Sequence, residues 1–198
     1  SRVGCAVRQA AARAGRTGTL ALLAALSPLS AGAVEYNQVL PAKSSVAFTY
    51  QQMGVAVDGQ FRKFSGQLSF DPAKPTAARV SFDVELASVD TGAPEGDAEV
   101  AGKPWFNTAA FPVARFVSSG VKALGGNRYE VPGKLTIKGR TQDVIVPATF
   151  TAQGASGVFE GAFTLRRADF AIGEGSWAKF DIVANDVRLK FRIAASGK

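Results

Sequence analysis

Short runs in which apolar and polar residues alternate dominate the chain from residue 34 onward. The clearest run covers residues 79–86, where every second side chain from Val80 to Leu86 is apolar and those between are polar or charged. A period of two places successive side chains on opposite faces of a β-strand. The pattern therefore predicts strands with one buried face, and a helical period is hard to find.

Runs of this kind predict an all-β fold of eight or nine strands. They cover residues 46–50, 61–64, 66–70, 80–86, 114–121, 129–137, 144–150, 158–165 and 182–193. Turn-forming residues separate several of them, at 71–75, 125–127, 138–141 and 154–157. Because short loops join neighbouring strands antiparallel, we expect an antiparallel sheet.

A barrel and a sandwich both fit this list of strands. Gly66, Gly133 and Gly161 lie within predicted strands, and sharply coiled strands need such positions to turn. We therefore predict an antiparallel eight-stranded barrel. Residues 88–111 and 168–178 break the alternation and are expected to form a long loop or short helices at its mouth.

The interior of such a barrel is either filled by its own side chains or wide enough for one small ligand. Alternation alone leaves both interpretations open. The role of the aromatic residues in the two irregular segments is left open in the same way. Trp105 and Phe106 would either close the mouth over a ligand or pin their loop in a small cluster, and Phe170 and Trp177 allow the same two interpretations.

Charged residues before the second irregular segment give one polar candidate. Arg166, Arg167 and Asp169 would form a polar latch at one end of the barrel, an anion contact or a solvated ion pair. We expect the ion pair, because exposed pairs are common and individually weak.

The residue types present exclude much catalytic and metal chemistry. The chain contains no histidine and one cysteine, Cys5. A domain without either has no Ser-His-Asp or Cys-His system and no ordinary zinc, haem or iron–sulfur ligand set. Asp90, Asp97 and Glu99 are expected to form a solvated acidic loop, since nothing nearby predicts the burial that raises a carboxyl pKa. We therefore predict a protein that is not an enzyme and has no cofactor.

Residues 1–33 have the pattern of a secretory signal peptide cleaved after Ala33. They carry four arginines and no acidic residue, then an apolar run at 20–29. That run is too short to cross a bilayer, which takes about 20 residues, so no stable membrane insertion is expected. Losing the four arginines lowers the net charge from +7 to +3 and removes the main argument for a nucleic-acid partner. We predict a periplasmic protein whose single domain is residues 34–198.

Several short motifs, taken in their order and spacing, resemble the YceI-like polyisoprenoid-binding proteins over nearly all of residues 34–198. They are residues 59–66 (GQFRKFSG), 68–72 (LSFDP), 87–92 (ASVDTG), 105–112 (WFN through FP), 116–119 (FVSS), 133–141 (GKLTIKGRT) and 167–173 (RADFAIG). One segment departs from the family. Where its members usually have an Arg-Asp-x-His-Leu-like stretch, this chain has residues 93–100 (APEGDAEV), so no head-group contact by a histidine carries over.

The resemblance implies a lipocalin-like barrel in the periplasm that holds the isoprenoid chain of a lipid, often a quinone, along its interior. On this basis we predict a binding or carrier protein for a long-chain isoprenoid or similar amphiphile, with homodimerisation left open. The alternative is a non-enzymatic protein-interaction or stress-response module whose barrel is filled. The predicted ligand-binding residues are Phe48, Tyr50, Phe82, Val84, Leu86, Trp105, Phe106, Phe116, Leu135, Ile137, Phe163, Phe170, Leu189 and Phe191.

Overall fold

A computed structural model of the protein describes residues 34–197. The predicted signal peptide lies outside the described residues. These residues form a sheet of twelve strands with one α-helix, α1 (Pro94–Ala101), and five short 3-10 turns. The strands are β1 (Tyr36–Val39), β2 (Ser45–Gln52), β3 (Val55–Phe61), β4 (Phe64–Ser69), β5 (Arg79–Glu85), β6 (Val89–Asp90), β7 (Val113–Ser118), β8 (Lys122–Gly125), β9 (Arg128–Ile137), β10 (Arg140–Gln153), β11 (Ser156–Arg166) and β12 (Val183–Gly197). The 3-10 turns are Pro41–Lys43, Pro75–Ala77, Leu86–Ser88, Arg167–Phe170 and Gly175–Trp177.

The sheet curls into an antiparallel barrel. Its hydrogen-bonded order is β4-β5-β7-β9-β10-β11-β12-β2-β3-β6, with β8 added beside β9 and β1 beside β12. β1 also pairs with the opposite edge of the sheet, at the residue that follows β4. There the backbone N–H of Tyr36 donates to the Phe70 carbonyl at 2.8 Å, and the N–H of Phe70 donates to the Tyr36 carbonyl at 2.9 Å. The predicted all-β, lipocalin-like antiparallel fold is confirmed.

The strand count is twelve rather than eight. The predicted strand at 61–64 is wrong, since Arg62 and Lys63 form the junction between β3 and β4. β3 itself was not predicted, because Asp58, Gly59 and Gln60 interrupt the alternation of apolar residues there. The short strands β1, β6 and β8 carry too few residues to show a period.

Residues 88–111, predicted as a long loop or short helices, contain α1. Pro94 occupies the first turn, where its missing N–H and fixed φ suit a helix start. Glu95 and Asp97 add negative charge at the helix N-terminus, which favours the macrodipole. The helix ends at Ala101, and Gly102 is its C-cap. It lies beside β6 and therefore at one end of the barrel.

Aromatic side chains fill the opposite end of the barrel. Phe70 contacts four rings there, with centroid distances of 5.0 Å to Phe159, 5.1 Å to Phe150, 5.3 Å to Tyr129 and 6.5 Å to Tyr36. We call these five residues the aromatic plug. Strand β12 runs from the α1 end, where Val183 pairs with Gln52 of β2, to the plug, where Gly197 pairs with Tyr36.

Candidate functional site

The barrel encloses a cavity of about 410 Å³. This volume lies within the range of about 300–1,000 Å³ usual for small-molecule sites. The cavity extends from Phe159 of the plug to Val100 of α1 and Trp177 of the last 3-10 turn, and almost all of its lining atoms are apolar. We call the end near α1 the mouth.

Thirteen of the fourteen predicted ligand-binding residues line this cavity. They are Phe48, Tyr50, Phe82, Val84, Leu86, Trp105, Phe106, Phe116, Leu135, Ile137, Phe163, Leu189 and Phe191. Phe170 does not line it. Its side chain is 2% exposed and packs in the hydrophobic core behind the cavity wall. The placement of Phe170 therefore gives no support to its predicted contact with a ligand.

Inward-facing aromatics at the middle of the barrel keep accessible surface. Phe48, Phe82 and Phe163 are only partly buried, although all three line the interior. Phe70 in the plug is 2% exposed. The difference arises because the first three rings border an empty space, whereas Phe70 meets other rings. The interior is thus hollow along part of its length and filled at one end.

Glycines on neighbouring strands let these rings lie flat against the wall. A Cβ atom at Gly66 would stand 2.6 Å from the Phe82 ring, and Gly66 is the cross-strand partner of Phe82. Gly59 bears the same relation to Phe48, and their close contact leaves no room for a Cβ atom. Because each ring covers a glycine instead of projecting inward, the lumen stays open.

Other residues that line the cavity were not among those predicted to bind a ligand. Ile193 continues the alternation of Val187, Leu189 and Phe191 along β12, so the sequence contained the signal for it. Val100 enters from α1, an element whose helical period is too short to detect. The remaining apolar lining residues, which were not among the fourteen predicted to bind a ligand, are Val39, Val46, Phe61, Leu68, Val80, Val89, Ala114, Val131, Val146, Ala148, Phe159, Leu165, Ile172, Trp177, Val183 and Val187.

The two irregular segments meet at the mouth. The Pro104 carbonyl accepts hydrogen bonds from the backbone N–H groups of Gly173 at 2.7 Å and Glu174 at 2.8 Å. The rings of Trp105 and Trp177 lie 5.3 Å apart and both line the cavity. The two rings therefore pin the loops together, and both also face the interior. That they close the mouth over a ligand stays a prediction.

Arg167 organises this part of the barrel. Its guanidinium donates hydrogen bonds of 2.8–3.3 Å to six backbone carbonyls, and its side chain is 1% exposed. The acceptors are Ile172, Gly173, Trp177, Lys179, Val183 and Ala184. Burial lowers the pKa of this guanidinium. The guanidinium also lies 5.4 Å from the centre of the Trp105 ring, a cation–π contact.

The expected solvated ion pair is therefore only half correct. Arg166 does pair with Asp169 at 3.0 Å, and the Arg166 side chain is exposed. Arg167 takes no part in that pair and is buried instead. This difference could not be predicted from residue types, because the six carbonyls that solvate Arg167 belong to the backbone.

The prediction that Asp90, Asp97 and Glu99 form a solvated acidic loop is wrong, because Asp90 belongs to β6 and the other two belong to α1, where Glu99 lines the cavity. Arg62 donates to Asp90 at 2.5 Å, and this contact, together with hydrogen bonds from Gly92 and Gln60, lowers the pKa of Asp90 to about 2. Asp97 accepts from the backbone N–H of Thr91 at 2.7 Å and from its hydroxyl at 2.8 Å. The carboxyl of Asp90, whose pKa is lowered in this way, is poorly suited to donate a proton near neutral pH.

Residues 34–197 contain neither a membrane-spanning helix nor a cluster of metal-ligating side chains. No helix among them has the length and apolarity needed to cross a membrane. Their acidic side chains nowhere gather in a group of three that could hold a metal ion.

The curled antiparallel sheet with a hollow apolar interior defines the class of small-molecule-binding β-barrels. Residues 38–195 match the YceI-like domain, and the chain belongs to the YceI-like family. The chain is 32% identical over 176 residues to a UPF0312 protein of Shewanella putrefaciens, covering 82% of this chain and 92% of that one. It is 37% identical over 120 residues to a UPF0312 protein of Azotobacter vinelandii, covering 58% of this chain and 62% of the relative.

Solved structures show the same architecture. BcnA of Burkholderia cenocepacia superposes with a TM-score of 0.78 at 42% identity, covering 80% of this chain and 99% of BcnA. A polyisoprenoid-binding domain from Saccharophagus degradans superposes with a TM-score of 0.67 at 17% identity, covering 83% of this chain and 99% of that domain. At that level of identity the second match shows the shared fold alone.

Proposed function

We propose that the protein binds one long-chain isoprenoid, or a similar amphiphilic lipid such as a quinone, inside its barrel and carries or stores it in the periplasm. The observation that carries this proposal is the cavity of about 410 Å³ with its almost wholly apolar lining. The polyisoprenoid-binding domain of Saccharophagus degradans has the same fold. In this role the lipid leaves the barrel chemically unchanged.

The energetics suit a carrier. Burying several hundred Å² of hydrocarbon at about 25 cal/mol per Å² contributes on the order of 15 kcal/mol. Lost translational freedom and ordering of the tail cost roughly 4–15 kcal/mol of that. The balance corresponds to micromolar to nanomolar affinity with a small contribution from the head group. The alternative, an interaction module with a filled barrel, does not fit a hollow interior.

The test begins with the protein purified from the periplasm of bacterial cells. Native mass spectrometry of the complex and analysis of an organic extract should find one lipid per chain. Protein that is repeatedly empty and takes up no added polyprenyl quinone would contradict the proposal.

Substitutions that place a charge in the cavity sharpen the test. Phe82→Asp and Leu189→Asp should stay folded but lose the lipid, since both side chains line the cavity. Ile145→Asp is the matched control, because Ile145 is an apolar strand residue on the outside of the barrel, 61% exposed. If the charged variants do not fold, Val84→Phe provides a second route by filling the lumen without a charge.

A further inference from the structure

Four apolar side chains beside the mouth are exposed to solvent. Met53 is 75% exposed, Val55 64%, Phe180 48% and Ile182 42%. The backbone N–H of Met53 donates to the Ile182 carbonyl at 2.7 Å, so the turn between β2 and β3 lies against the loop before β12. We call these four residues the apolar rim. Exposed apolar side chains that gather in one place, unlike single ones, mark a surface that contacts a protein or a membrane.

The apolar rim continues the wall of the cavity. Gln52 pairs with both Val183 and Val55, and residues directly opposite each other in a sheet have side chains on the same face. Gln52 and Val183 line the cavity, so Val55 lies on the same face of the sheet as that lining. On the loop, the Phe180 ring lies 5.0 Å from the guanidinium of Arg167, which also lines the cavity. The rim therefore borders the entrance.

The methionine in the rim is explained neither by its turn nor by packing. Met53 and Gly54 form the two-residue turn between β2 and β3, with φ of +51° and +78°. Turns with positive φ at both positions favour Asn-Gly or Asp-Gly, because other side chains rarely adopt this conformation at the first position. Met53 is also the most exposed large apolar residue in the described part of the chain. A partner that buries its side chain would account for it.

The size and charge of the rim fit a bilayer better than a protein. A stable protein interface buries about 800 Å² on each partner, more than four partly exposed side chains offer. A few apolar side chains suffice at a membrane, where binding grows with the apolar area inserted among the head groups. The exposed residues on either side of Phe180, Lys179 and Asp181, have opposite charges, so this loop suits uncharged phospholipid surfaces.

We propose that the apolar rim docks the mouth of the barrel on the surface of a phospholipid bilayer, so that a lipid passes directly between the bilayer and the cavity. This inference rests on the proposed function and adds where the ligand is exchanged. A long isoprenoid is poorly soluble in water, and direct passage keeps its chain out of water throughout the transfer.

The first test is flotation of the purified protein with phosphatidylcholine vesicles in a density gradient. Met53→Asn should weaken vesicle binding about tenfold, because the apolar surface of one methionine no longer enters the bilayer. Asn suits the positive φ of this turn, so the variant should unfold in urea at the same or a higher concentration than the wild-type protein. Ile145→Thr is the matched control, since Ile145 is 61% exposed on the barrel wall, outside the rim, and its variant should float like the wild-type protein.

The second test measures the uptake of a polyprenyl quinone from the same vesicles by an excess of protein. Transfer through water is limited by escape of the quinone from the bilayer, so its rate does not depend on protein concentration. Transfer by docking should instead rise in proportion to protein concentration, and Met53→Asn should slow it about tenfold. Quinone supplied in detergent micelles should bind the wild-type and variant proteins with equal affinity.

The outcomes separate docking from lipid binding. Uptake that rises with protein concentration and is slowed by Met53→Asn supports docking, whether or not the complex is stable enough to float. Uptake independent of protein concentration, or equal in the wild-type and Met53→Asn proteins, overturns docking and leaves lipid binding intact. Docking is also overturned if the rim joins two copies of the chain, seen as a dimer that Met53→Asn dissociates and that does not float. Failure to take up quinone from both vesicles and micelles overturns the proposed function itself.

Discussion

The two ends of the barrel are built from the same strands but stabilised differently. At the plug, Phe70, Phe150 and Phe159 pack ring against ring with centroids 4.8–5.1 Å apart. At the mouth, the loop backbone is held by hydrogen bonds to one guanidinium, that of Arg167. Between them, rings lie over cross-strand glycines and the lumen is open. The plug rings thus pack against one another, whereas Phe48 and Phe82 lie over glycines and border the open space.

The largest expected effect comes from deleting a ring at the plug. Phe70→Ala should lower the free energy of unfolding by about 4 kcal/mol, because it leaves a cavity among four other rings. Phe82→Ala, the same change beside the existing cavity, should cost about 1–2 kcal/mol. Urea unfolding monitored by circular dichroism gives both values. Equal losses would show that the two regions are packed alike.

Arg167→Met should lower the free energy of unfolding by about 3 kcal/mol, because it leaves buried carbonyls at the mouth without a donor. Arg166→Met is the control. Its ion pair with Asp169 is exposed, and exposed pairs contribute about 0–1 kcal/mol. Urea unfolding of the two variants should differ clearly. A loss in Arg167→Met no greater than in Arg166→Met would contradict the central role of Arg167.

Gly66→Ala should mainly reduce lipid binding and should lower the free energy of unfolding only modestly. The added Cβ would stand 2.6 Å from the Phe82 ring and force it toward the lumen. We expect a stability loss of about 1–2 kcal/mol and a reduced amount of bound lipid in native mass spectra. Gly120→Ala is the control, since a Cβ there meets open space. Full lipid occupancy in Gly66→Ala would show that the glycine does not keep the lumen open.

The smallest effect concerns pH. The folded-state pKa of Asp90, about 2, lies below the ordinary value near 3.8, so its ionised form stabilises the fold above that ordinary value. The contribution is lost as the pH falls from about 4 to about 2. Asp90→Asn should therefore flatten the decline of stability over that interval. Urea midpoints measured at several pH values test this, and parallel curves for both proteins would contradict it.

The sequence predicted the strands whose two faces differ most. Alternation in β5 and β12 located part of the cavity wall, since Phe82, Val84, Leu189 and Phe191 all line it. Hollowness could not be predicted from this pattern. Alternation gives the direction of a side chain but not the distance to what it faces, and the glycine beneath Phe82 becomes apparent only once the strands are in register.

The polar features of the mouth could not be predicted from the sequence, for a different reason. Arg167 is solvated by backbone carbonyls, and the buried Nε1 of Trp105 has no hydrogen-bond partner. Neither condition is a property of residue type. α1, in contrast, did leave a signal in Pro94 followed by acidic residues, but too short a helical run accompanied it.

The bridge between Tyr36 and Phe70 has a mechanical consequence for the barrel wall. Most neighbouring strands are joined by ladders of many backbone hydrogen bonds. In contrast, β1 is joined to the end of β4 by this single reciprocal pair. A force that separates β1 from β4 would act on these two hydrogen bonds first. The barrel is therefore closed beside β4 by one reciprocal pair of backbone hydrogen bonds, between Tyr36 and Phe70.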